Sequence, residues 1–149
     1  AGAAARCAVE AGQPIQPGLV ALGYASDQGI ELRAAALDGA DSAWVLTTIW
    51  AVTDRVEGIE TRLFAPFAHV FDSAGARVLI VDGAAVPGYD WQVGDCHVHR
   101  MAFNLPEGGA RPYTLQVGQY DALAGLNVVF VDPDSGAFTP LVVLPLSLP

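Results

Sequence analysis

Between Thr61 and Asp82 two β-rich apolar runs, RLFAPFAHVF and ARVLIVD, flank the cluster Asp72-Ser73-Ala74-Gly75. Short apolar runs on either side of turn-forming residues read as a β-hairpin. The first run puts Leu63, Phe67, His69 and Phe71 on one parity and Phe64, Ala68 and Val70 on the other. Both faces are apolar, which predicts a strand covered on both sides or lying mid-sheet. Pro66 removes one ladder donor and predicts a bulge or an edge there.

The rest of the chain reads as more strands of the same kind. Leu19–Tyr24 is a short strand, and Ile30–Leu37 is a strand or one helical turn: its alanines favour helix, but Gly29 and Gly39 leave little room. In Ser42–Val52, Trp44, Leu46, Thr48 and Trp50 share one parity, which predicts the main core layer. Cys96–Leu105 alternates in its second half, and Arg111–Tyr120 sets Tyr113, Leu115 and Val117 against Thr114, Gln116 and Gly118. Asn127–Val131 and Phe138–Leu146 flank the turn Asp132-Pro133-Asp134-Ser135-Gly136. Eight or nine strands at short spacing, with no long helical period and no internal repeat, predict an all-β, antiparallel two-sheet β-sandwich over residues 19–149. Residues 1–18 lack periodicity and carry Gly12, Pro14, Pro17 and Gly18, so they read as an N-terminal arm.

Composition excludes several classes of function. At 149 residues the chain suffices for one domain with a real core. Its apolar share, 52%, is high, yet no apolar run reaches the roughly 18 residues of a membrane-spanning helix. The excess is spread over short runs, as two-layered β structure requires, and part of it can cover surface that a partner buries. Sixteen acidic residues stand against seven basic ones, all arginine, for a net charge of -9. Such a chain repels a phosphate backbone, so nucleic acid is not an expected partner, nor is an anionic membrane surface. The chain opens on Ala-Gly-Ala-Ala-Ala-Arg-Cys, without Met or an apolar signal core, as expected of a processed product or a fragment.

Four pieces then stand in an order that resembles an immunoglobulin-like β-sandwich domain of bacterial, notably Chloroflexi-type, surface and membrane proteins, often appended to glycosyltransferase-like membrane proteins. They are LTTIWAV (Leu46–Val52), FAHVFDSAGARV (Phe67–Val78), DWQVGD (Asp90–Asp95) and FNLPEGGARPYTLQVGQYD (Phe103–Asp121). The resemblance covers Ser42 to the C-terminus. It implies an immunoglobulin-like fold, an extracytoplasmic setting and no active site, with His69 structural in its Phe-x-His position. The arm, Cys7, Cys96, His97 and His99 depart from the pattern.

Few residues suggest chemistry. His97 and His99 share one strand face and, with His69 on a neighbouring strand, can form a three-histidine metal site. Against this, they continue the parity of Met101, Phe103 and Leu105, where histidines pack at the end of a core row. Cys96 and His97 are adjacent on a strand and point to opposite faces, so they form no nucleophilic pair. No serine lies in a nucleophile-elbow pattern, and Asp132, Asp134 and Gly136 lack the later glutamate of a calcium loop. Cys7 and Cys96 fit a disulfide in an oxidising compartment, pinning the arm to the body, or two unpaired apolar thiols.

The expectation is therefore a non-enzymatic, cofactor-free structural or interaction module. Its setting is extracytoplasmic (cell surface, periplasmic or secreted), within a surface or extracellular assembly. Its partners are proteins or copies of itself, met through a sheet edge or the arm. A carbohydrate-binding module is the alternative, with Trp91, Tyr89 or Trp44 stacking on sugar rings. A periplasmic metal-binding protein using the histidines is the third.

Overall fold

The computed structural model describes residues 18–149. All but the last residue of the expected arm, and Cys7 with it, lie outside them. The described residues form twelve strands: β1 (Val20–Ser26), β2 (Ile30–Ala40), β3 (Ala43–Val52), β4 (Leu63–Phe71), β5 (Arg77–Asp82), β6 (Val86–Pro87), β7 (Cys96–Asn104), β8 (Tyr113–Asp121), β9 (Leu126–Asn127), β10 (Phe130–Val131), β11 (Phe138–Thr139) and β12 (Val142–Leu148). Eight of these are six residues or longer, in line with the eight or nine expected; the others are two-residue pairings. Among the described residues the only helical turns are 3-10 turns at Ile59–Thr61 and Gly88–Asp90, and no helix is long and apolar enough to cross a membrane.

The strands make an antiparallel two-sheet sandwich. The first sheet runs β11-β10-β1-β2-β3-β7, and the second β12-β8-β4-β5, with β6 on β4 and β9 on β8. The segment that sequence left between strand and helix is a strand. β2 pairs with β3 from Ile30↔Val52 to Ala40↔Ala43, and that ladder overrides the helical preference of its alanines.

The hairpin forms as its turn residues dictate. Asp72 Oδ1 accepts from the backbone N–H of Ala74 (3.0 Å) and Ala76 (2.9 Å), while Gly75 takes φ +85°. β4 lies mid-sheet, between β8 and β5. Pro66 faces an interruption: its carbonyl accepts from Gly83 N–H (2.7 Å), and Gly83 sits in the break between β5 and β6. The donor that proline lacks would point to that same side, where the ladder is already broken.

The core lies between the sheets. Leu46 and Trp50 of β3 and Leu32 of β2 meet Phe64 and Val70 of β4 and Leu115 of β8. The Trp50 ring stands 5.8 Å from Phe130, and its Nε1 donates to Thr48 Oγ1 (2.8 Å). At one end Trp91 plugs the gap between the layers. It meets Phe64 edge-on at 5.7 Å and stacks on His97 at 4.2 Å, and its indole N–H donates to the Val86 carbonyl (3.1 Å).

Candidate interaction surface

Alternation gives each sheet one face toward the core and one away from it. On the second sheet the outward residues of β4 are Phe67, His69 and Phe71, and their rings form one cluster. Phe67 and His69 are 5.2 Å apart, His69 and Phe71 6.3 Å, and Tyr120 of β8 meets Phe67 at 5.8 Å. Ladder register extends the row across the whole sheet. Ile80 of β5 stands opposite His69, His69 opposite Gln116 of β8, and Gln116 opposite Val143 of β12. Ile80 is 50% exposed and Val143 60%. A groove of about 550 Å³, lined by Phe71, Ser73, Pro112, Thr114 and Gln116, opens at the hairpin end of this face.

Gly118 lets the cluster lie flat. A Cβ there would come 2.6 Å from Phe67 Cζ and 2.9 Å from the Pro140 carbonyl oxygen, so only glycine admits the ring across β8. Burial lowers the pKa of His69 below its ordinary value; the charge of Arg77 adds to this, and Asp82 opposes it. The imidazole is therefore neutral at pH 7, and the row Ile80–His69–Gln116–Val143 carries no charge. β5 and β12 flank the face. Among the described residues neither has a strand hydrogen-bonded on its far side, and β12 carries Pro145.

The three histidines do not come together. His69 is on the outward face of the second sheet, whereas His97 and His99 are on β7 of the first, opposite Trp50 and Thr48 of the core-facing row. His97 stacks on Trp91. His99 is pushed down to about 4, chiefly by burial and then by neighbouring His97, and its Nε2 is buried without a hydrogen-bond partner. Among the described residues no group of three or more His, Cys, Asp or Glu side chains is placed to hold a metal ion.

The aromatic candidates also separate. Trp91 is 3% exposed and presents no ring face to solvent; Tyr89 is 65% exposed, beside exposed Asp90. Trp44 is half-buried, its indole N–H donating to the Asp41 carbonyl (3.1 Å). Cys96 pairs with Ala51 on the outward side of the first sheet and His97 with Trp50 on the inward side, as adjacent strand residues must.

Sequence reasoning missed the polar knot at the end of β8. Asp121 Oδ1 accepts from the N–H of Leu63 and Leu123, both at 3.1 Å, and Oδ2 pairs with Arg62 Nη1 at 3.2 Å. Burial raises this carboxyl's pKa, but the hydrogen bonds from Leu63, Leu123, Arg62 and Ala124 outweigh it and hold the group below its ordinary value. Nearby Gln119 is fully buried, and neither end of its amide has a hydrogen-bond partner. The signal was present: Gln119 and Asp121 continue the parity of Tyr113, Leu115 and Val117 toward the core.

Compared with known proteins, the chain matches no family model, no curated protein and no solved structure.

Proposed function

We propose that this chain is a non-catalytic, extracytoplasmic interaction module of the immunoglobulin-like kind that its sequence resembles, serving as a subunit of a surface or extracellular assembly. It meets protein partners or its own copies through the outward face of the second sheet and the edge strands beside it. The observation that carries this reading is the uncharged row Ile80–His69–Gln116–Val143. It runs edge to edge over a ring cluster and leaves two large aliphatic side chains half-exposed or more. Exposed aliphatic side chains set beside a ring cluster on an uncharged face offer contact surface, and partners in such faces tend to anchor on aromatic and aliphatic groups. An oxidising compartment is also where Cys7 and Cys96 can be linked.

The test is solution mass. Wild-type protein should run as an oligomer, or join a complex with proteins from its own cell surface. The Ile80→Arg/Val143→Arg variant should lose that association while keeping its melting temperature. A wild-type chain that stays monomeric at high concentration and retains no surface protein would refute the reading. One observation favours a second: Tyr89, exposed beside Asp90, offers a ring and a carboxylate for a sugar. A carbohydrate module would bind glycans in a Tyr89-dependent way.

A further inference from the structure

A strip along the outward face of the first sheet is buried, although it carries no second-sheet strand. Its members are Ala34 and Ala36 of β2, Thr47, Ile49 and Ala51 of β3, and Cys96 of β7, adjacent in register. All are buried, Ile49 at 0% exposure. The second sheet packs on the opposite side, against Leu32, Leu46 and Trp50. On the same outward side Ala21, Gly23 and Ala25 of β1 are exposed, so the cover stops at β2. An isoleucine on an open sheet face, flanked only by Ala34 and Val98, would keep a large part of its surface in water; burying it takes a third layer. Four of the six side chains in the strip are alanine or threonine, short enough for another stretch of chain to lie close.

We infer that this strip is the docking seat of the chain's own residues 1–17, fastened by a disulfide between Cys7 and Cys96. Among the described residues no cysteine is free, and Cys7 is the chain's one other cysteine. The reach is sufficient. Val20 stands level with Ala35, Ala35 with Thr48 and Thr48 with His99, so the start of β1 is three strands from β7 at the height of His99. Three strand spacings are about 14 Å, and Cys96 lies about 10 Å further along β7. Ten residues lie between Cys7 and Gly18, and the eleven steps from one to the other span up to about 36 Å when extended. Gly18, at φ +81°, has the left-handed conformation that reverses a chain just before β1. The segment brings alanines, Val9 and Ile15 to an apolar seat, with Arg6 and Glu10 for its rim, where Glu31 and Arg33 pair at 3.5 Å. This seat is on the other sheet from the assembly face proposed above, so either can fail without the other.

Disulfide mapping of the full chain, folded under oxidising conditions and weighed in solution on the same sample, decides the matter. A Cys7–Cys96 link within a single chain is the expected result. A link between two chains would give the seat to a second copy and overturn the inference, as would native protein in which both thiols alkylate without reductant. A diazirine amino acid in place of Ile49 tests the occupant directly. Photolysis should join it to residues 1–17 of the same chain, and capture only of another chain or of solvent would overturn the inference.

Discussion

The two outward faces of this sandwich differ in kind. That of the first sheet has at its centre a strip of small side chains, Ala34, Ala36, Thr47 and Ala51, around one isoleucine, and that strip is closed to solvent. That of the second is built from rings and aliphatics, Phe67, His69, Phe71, Ile80 and Val143, and it is open at both edges. Small residues make room for a covering layer, whereas large ones offer surface to a partner. Side-chain size thus separates a face closed within the fold from one available outside it, although both arise from the same alternation.

The sharpest way to break this contrast is to place the same charge on each face. Ile49→Asp puts an unpaired carboxylate in a dry site and should cost about 3–5 kcal/mol. Ile80→Asp, on the open face, should stay within about 0.5 kcal/mol of wild type. Denaturant unfolding of both variants checks this, and equal losses would mean that the faces do not differ. Gly118→Ala comes next. The added methyl forces Phe67 off β8, or shifts Pro140, at a cost of about 1–3 kcal/mol, read as a fall in melting temperature.

The smallest effect compares histidines. His99, between the sheets, titrates near 4, against 6.5 for an ordinary histidine. Below pH 6.5 the unfolded chain takes up a proton that the folded chain refuses. The contribution is therefore complete above pH 6.5 and is lost as pH falls toward 4. With solvent screening part of the charge, the loss is on the order of 1–2 kcal/mol. His99→Leu should flatten that slope, while His69→Leu, on the outward face, should leave most of it. Unfolding at pH 7 and pH 4.5 distinguishes them.

The layered β architecture was legible because β3 and β8 alternate strongly. Trp44, Leu46 and Trp50 on one strand, and Tyr113, Leu115 and Val117 on the other, announce a single buried face each. The Asp72-to-Gly75 turn was legible for a local reason: the aspartate bonds its own backbone neighbours. The closed face of the first sheet was not. Ala34, Ala35 and Ala36 show no polarity contrast, so no pattern says that both sides of β2 are covered. The place of Trp91 between the layers was not legible, because its segment is rich in turns and carries no alternation. Its partners, Phe64 and His97, come from two different sheets, and only the fold brings them together. The histidine trio failed as a unit for the same reason: parity places residues on faces, but the assignment of strands to sheets is a long-range property.

The break opposite Pro66 acts as a ruler. Any foreign strand that extends the outer margin of β5 finds continuous pairing only from Arg77 to Asp82, before Gly83 turns away to bond the proline carbonyl. Six residues of ladder correspond to about 20 Å. A peptide grafted there gains main-chain bonds over that length and none beyond it, so lengthening it past six residues would not tighten its grip.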